Sequence, residues 1–96
     1  MLTAEDGLVA LEVLKNNHVD LVLTDIEMPN LDGFGLVERM RADSAFSGIP
    51  AIAVTSVMGE VAEARSQEVG IDEYLIKLDR DQILERSIYF LNNGRG

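Results

Sequence analysis

Cysteine is absent from this 96-residue chain. That excludes a disulfide framework, a thiolate metal site and a cysteine nucleophile, and it fits a reducing compartment. Basic residues are scarce, 8 against 17 acidic, for a formal net charge of −9. Nucleic-acid binding needs a basic face, so that class is set aside and a cation or a basic partner surface is favoured. No apolar run is long enough to span a bilayer. The opening Met1-Leu2-Thr3-Ala4-Glu5-Asp6 has no basic stretch followed by an apolar one, so no secretory leader is read and a cytoplasmic location is expected. What is present is a globular composition, 47% hydrophobic and 26% charged, with the length of one modest domain, residues 1–96.

Hydrophobic periodicity orders the chain. Asp6-Gly7 followed by Leu8, Leu11 and Leu14 predicts a capped amphipathic helix to about Asn17. Val19 to Thr24 is nearly continuous apolar and rich in branched residues, which predicts a strand buried on both faces. Met28 to Gly33, with Pro29 and Asp32-Gly33, is a loop. Phe34, Val37, Met40 and Arg41 fall at helical spacing. Ala51 to Val54 predicts a second short strand ending on Thr55-Ser56. Gly59 to Val69 predicts a more polar helix stopped by Gly70. Tyr74 to Ile76 predicts a third strand ending on Lys77. Asp79 and Gln82 form a capping box for a last helix with the apolar stripe Ile83, Leu84, Ile88 and Leu91, and 92–96 reads as a frayed tail. No repeat is visible. Strand-helix alternation calls for a parallel sheet with right-handed crossovers and helices on both faces, with its site beyond the strands' carboxyl ends.

The residues that end the strands are the chemical signal. Asp25, Thr55 and Lys77 would lie along one sheet edge, bringing a carboxylate, a hydroxyl and an ammonium together. That is a phosphoryl-transfer set: the carboxylate attacks phosphorus, and the other two bind the phosphoryl oxygens and offset their charge. Glu5-Asp6 reads instead as cap and first-turn residues at a helix N-terminus. His18 reads as a solvent-facing loop residue, and Met28 and Met40 as packing residues.

Asp25-Ile26-Glu27-Met28-Pro29 with Asp32-Gly33, followed by Thr55-Ser56, Tyr74 and Lys77 in that order, resembles the phosphoacceptor loop and later motifs of bacterial response-regulator receiver domains, the CheY-like family. Ala4-Glu5-Asp6-Gly7 with Ala10-Leu11 resembles that family's second strand-helix junction. The resemblance covers nearly the whole chain. It implies a doubly wound, flavodoxin-like three-layer α/β/α fold with strand order 2-1-3-4-5, and a phosphorylation-dependent switch in a two-component phosphorelay. Asp25 would accept phosphoryl from a sensor histidine kinase. Asp25 and the backbone carbonyl of Glu27 would hold Mg²⁺. Lys77 would contact a phosphoryl oxygen, and Thr55 would swing toward it. Tyr74 would follow inward, reshaping the surface of the last two helices for a downstream output protein or fused output domain. Pro29 would fix the loop by locking its own φ, and Gly33 by allowing a turn closed to other residues.

Two features depart from the family pattern. The chain starts after the family's first strand, its acidic pair and its first helix. This predicts an N-terminally incomplete domain in which Leu21-Val22-Leu23 is an unpaired edge open to a second copy, and weak or absent Mg²⁺ binding, since the ion wants several oxygen ligands. Leu78 also stands where most receivers have proline after the lysine. A trans bond and a shifted loop are expected there, loosening the placement of Lys77. The pattern is similar to receivers fused to chemotaxis kinases or coupling proteins. Two rival functions follow: a receiver-like docking scaffold that is never phosphorylated, and an aspartyl-phosphate phosphohydrolase. Against the second, Glu27 stands where an acid-base Asp belongs. The chain is read as a switch acting on itself, not as an enzyme for a separate substrate.

Overall fold

A computed structural model describes residues 1–56 and 59–95. Its elements alternate along the chain: β1 (Leu2–Ala4), α1 (Gly7–Asn16), β2 (Val22–Asp25), α2 (Gly33–Ala42), β3 (Ala51–Thr55), α3 (Glu60–Val69), β4 (Glu73–Ile76) and α4 (Arg80–Asn93). The strands form one parallel sheet in the order β1-β2-β3-β4. The family expectation of an unpaired Leu21–Leu23 edge is therefore corrected. Leu2, Thr3 and Ala4 pair directly with Val22, Leu23 and Thr24, because β1 carries enough extended backbone to satisfy that edge. The outer edge is now β1, only three residues long, and a short edge strand offers little to a second copy.

Parallel strands in sequential order, joined by crossovers of one hand, place their helices on one face. Accordingly α1 packs beside α2 and α2 beside α3, while α4, which returns to no further strand, covers the opposite face. Strand alternation serves both layers. Val22, Ala51 and Ala53 face the three-helix side with Leu14, Phe34, Val37 and Met40. Leu21, Ile52 and Leu75 face α4 and pack against Phe90. The small Ala51 and Ala53 let three helices approach closely, whereas the lone α4 meets the larger Ile52.

Local chemistry sets the boundaries. Asp6 caps α1, accepting from the amides of Leu8 and Val9 at 2.9 and 3.3 Å. Asp32 caps α2 through the Gly35 amide at 2.7 Å, and Asp79 caps α4 through the Gln82 amide at 3.0 Å. Gly70 ends α3 at φ 92°, a left-handed conformation that suits glycine. Three helical and strand expectations shift. β2 begins at Val22, not Val19. On α1 the buried residues are Gly7, Ala10 and Leu14, with Leu8 exposed. On α4, Ser87 and Phe90 are buried while Leu84, Ile88 and Leu91 are exposed. The tail is also better anchored than expected: α4 runs to Asn93, and Arg95 bonds Asp72 at 2.9 Å, Gly96 lying outside the described residues.

Arg41, at the end of α2, fastens the edge opposite the strands' carboxyl ends. Its side chain, 13% exposed, donates to the carbonyls of Gly70, Ser47 and Ile49 at 3.0, 3.2 and 2.7 Å and to Asp72 at 3.0 Å. Burial, reinforced by Arg95 and opposed by Asp72, lowers its pKa. Asp72 in turn accepts from the first amide of β3, Ala51 N, at 2.9 Å.

Candidate functional site

The site forms where β2, β3 and β4 end. Asp25 is the last residue of β2 and pairs in register with Val54; Thr55 ends β3 and pairs with Ile76, the residue before Lys77. The Lys77 amide donates to the Thr55 carbonyl at 2.8 Å. This backbone frame carries the Lys77 ammonium to Asp25, and the two form an ion pair through Nζ and Oδ2. The other carboxylate oxygen, Oδ1, accepts from the Ile26 amide at 2.8 Å. With 48% and 30% side-chain exposure, the pair is screened by water and adds little to stability.

Leu78, the non-proline after Lys77, is 91% exposed, and no described peptide bond is cis. The trans bond is as expected. The looser placement of Lys77 is not, because the β3–β4 register already fixes the lysine's backbone before Leu78 is reached.

The remaining candidates do not all share the face of this pair. Thr55 is buried and has the alternation parity of Ala51 and Ala53, toward α1–α3. Tyr74 is half-buried against that same cluster and pairs with Ala53. Asp25 and Lys77 have the opposite parity, shared with Leu23 and Leu75. Glu27 is exposed and lines, with Asp25, Lys77 and Glu5, a cleft of about 450 Å³ whose apolar wall includes Leu23, Val54 and Ile83. Pro29 is exposed and its carbonyl accepts from Leu31 N at 2.8 Å. Asp6 is the cap expected of it, while Glu5 precedes the helix. Exposed His18 bonds Asp20 at 2.7 Å; Met40 is fully buried, and Met28 packs against the core.

Gly33 serves the loop for a different reason from the one expected. Its φ is not positive; among non-glycine described residues the positive φ belongs to Asn30, at 67°. Gly33 is needed for close approach: a Cβ there would lie 2.4 Å from the Asp25 carbonyl oxygen. Its amide donates to the Ile26 carbonyl at 2.9 Å, so the start of α2 is pressed against the end of β2.

Two residues of this site escaped the sequence reading. Thr24, 1% exposed, donates its hydroxyl to the Asp25 carbonyl at 2.8 Å and lies 3.6 Å from the Met28 sulfur. A threonine in a strand reads as a β-former, so nothing in the pattern distinguished it. Asn30 did carry a signal, since asparagine is enriched at left-handed positions in turns.

The donor set for Mg²⁺ is thin. Both Asp25 oxygens already accept bonds, and among the described residues no group of three or more His, Cys, Asp or Glu could hold a metal ion. Asp25 and the Glu27 carbonyl supply fewer protein oxygens than the near-octahedral shell of Mg²⁺ holds, and waters would fill the rest.

A family model described as the response regulator receiver domain matches residues 1–88. The chain belongs to the response regulator receiver family. A CheY homolog, a chemotaxis protein of Campylobacter jejuni, is 32% identical over 98 residues, covering all of this chain and 75% of that protein. The sensor histidine kinase RcsC of Escherichia coli is 43% identical over 75 residues, covering 78% of this chain but 8% of the kinase. This chain thus spans about a tenth or less of the length of several curated relatives it matches. Among solved structures, the receiver domain of a histidine kinase from Syntrophus aciditrophicus aligns with TM-score 0.78 at 27% identity, covering 92% of this chain and 67% of that one. A flavodoxin-like, CheY-like α/β fold and a role as a two-component receiver module follow. No helix among the described residues is long and apolar enough to cross a membrane.

Proposed function

We propose that this receiver is a phosphorylation-controlled switch that accepts phosphoryl on Asp25 from the phosphohistidine of a sensor histidine kinase. The ion pair between Lys77 and Asp25, made across 52 residues of chain, carries the reading. An Asp25 oxygen attacks phosphorus, an O–P bond forms as the donor's P–N bond breaks, and the electron pair returns to the imidazole nitrogen. The attack consumes the carboxylate charge that held Lys77. The ammonium then turns to a phosphoryl oxygen and offsets its charge. Thr55 and Tyr74 are the proposed switch residues, altering affinity for an output protein or a fused output domain. Mg²⁺ would use Asp25 and the Glu27 carbonyl and bind this chain weakly at best. The kinases among the relatives support a phosphohistidine donor, and the transfer is proposed to take place in the cytoplasm.

The test is incubation with acetyl phosphate or phosphoramidate, with and without Mg²⁺, followed by intact-mass measurement. One added phosphoryl group, labile to hydroxylamine and lost in Asp25→Asn, is expected. The thin metal donor set favours one second reading, a docking scaffold that is never phosphorylated. An unmodified mass under every condition would select it.

A further inference from the structure

The phosphoacceptor loop is tied to an element that the transfer chemistry does not use. Asn30 Nδ2 donates to Asp6 Oδ2 at 2.7 Å, while Asp6 Oδ1 caps α1 through Leu8 and Val9. One carboxylate thus serves two elements, one oxygen each. A backbone bond reinforces the join, from Gly7 N to Leu31 O at 3.1 Å. The approach is so close that a Cβ on Gly7 would sit 2.2 Å from the Leu31 oxygen. At the other end of the same loop, Gly33 N donates to Ile26 O, and Ile26 N donates to Asp25. An unbroken set of bonds therefore runs from the Asp25 carboxylate to the first turn of α1.

We infer that Asn30 is a positioning residue, whose amide, held in the left-handed conformation, latches the phosphoacceptor loop to the Asp6 cap so that the loop and the start of α1 move as one unit. The latch rests on the proposed function only in its consequence, that a phosphoryl group on Asp25 is felt at α1 as well as at the Thr55 and Tyr74 face. Asparagine suits the position on two counts. It adopts positive φ more readily than other side-chain-bearing residues, and its amide donates to a carboxylate acceptor.

Two substitutions separate the latch from its surroundings. Asn30→Gly keeps the backbone conformation and removes the amide. Asp6→Ser keeps an oxygen able to cap α1 and removes the second acceptor. Amide hydrogen exchange is followed in the full chain. Each variant is expected to speed exchange several-fold at both ends, at Leu31 and Gly33 in the loop and at Val9 and Ala10 in α1, and the double variant to be no faster than either single one, as for two residues of one contact. Loosening at one end only, or additive effects in the double variant, overturns the latch. A second measurement separates the latch from the switch. With acetyl phosphate as phosphoryl donor, the wild-type chain should shift the amide resonances of Ile26, Leu8 and Val9, and Asn30→Gly only that of Ile26. An Ile26 resonance unmoved in the wild type overturns the proposed function and leaves the exchange result to decide the latch. Equal α1 shifts in both proteins overturn the coupling.

Discussion

Replacing Gly33 by alanine tests the contact that joins the fold to the site. The new Cβ would lie 2.4 Å from the Asp25 carbonyl oxygen and 3.1 Å from the Ile26 Cα. Both neighbours are backbone, so no side chain can swing aside, and α2 must back away from β2 by roughly 0.6 Å or more to reach the shortest tolerable contact. Overpacking of this kind typically costs about 1–3 kcal/mol. The retreat also stretches the Gly33–Ile26 hydrogen bond, worth about 1 kcal/mol. Against this stands the helix preference of alanine over glycine, at most about 1 kcal/mol and less at a first position. The net loss is about 1–3 kcal/mol, which in a domain of this size lowers the melting temperature by roughly 5–20 °C. Gly48 supplies the control: nothing lies within 4 Å of its Cβ position, and Gly48→Ala should be neutral or stabilising by up to about 1 kcal/mol. Thermal melts by circular dichroism read both. Because the displaced atom belongs to Asp25, Gly33→Ala should also slow phosphoryl acceptance. If Gly33→Ala melts at or above Gly48→Ala, α2 does not press on the strand end and the account of this loop is wrong.

Arg41→Met keeps most of the side-chain volume but leaves three carbonyls without this donor and Asp72 with Arg95 as its remaining cationic partner; a loss of about 3–5 kcal/mol is expected, and an unchanged urea midpoint would contradict the role given to this network. Gly70→Ala places a Cβ at φ 92°, 3.0 Å from Arg41 Cγ, and should cost about 1–2 kcal/mol, with Gly70→Asn intermediate; the reverse order in urea melts would argue against a left-handed cap. The bond from Asn30, helped by the capping amides of Val9 and Leu8, lowers the Asp6 pKa below its ordinary value of 3.8. A depressed folded-state pKa stabilises above the unfolded value and ceases to do so as pH falls through the folded one. The stability difference between wild type and Asp6→Asn should therefore be full at neutral pH and close as pH drops below 3.8; a difference that widens in acid refutes the assignment.

The strand ends, the Asp6 and Asp79 caps and the order of elements were legible because each rests on local chemistry, whereas Asp32 read as loop and proved to cap α2. Asp6 and Asp79 sit before stretches of helical periodicity, Gly70 follows one, and short strand-forming runs end on Asp25, Thr55 and Lys77. Two kinds of feature were not legible. Which side of an amphipathic helix is buried depends on what it packs against. Leu84, Ile88 and Leu91 form a convincing stripe, yet α4 meets the sheet through Phe90 and Ser87 because it lies alone on its face and need cover only Leu21, Ile52 and Leu75. Pairing between distant segments is equally silent in a single sequence. Leu2 to Ala4 could be read as what remains of the family's second strand, but its direct pairing with Val22 to Thr24 could not. The role of Gly33 was misassigned for a related reason: a glycine's signal is the same whether it supplies an unusual φ or a missing Cβ.

The alternation of side chains along β2, β3 and β4 places a constraint on any switch built here. Asp25 and Lys77 belong to the α4 face with Leu23 and Leu75, while Thr55 and Tyr74 belong to the face packed by α1–α3. A charge change at Asp25 cannot reach Tyr74 through side-chain contacts along one face, since the sheet lies between them. Among the described residues, two backbone-borne routes are available where the strands end. One is the bond from Lys77 N to Thr55 O, which ties the lysine to the hydroxyl-bearing residue on the far face. The other is the loop from Ile26 through Asn30 to Asp6, which reaches α1 without crossing the sheet. Both routes begin within one residue of the Asp25–Lys77 pair. Losing that pair's ionic contact upon phosphorylation would therefore disturb both at once, and severing one should leave the other responsive.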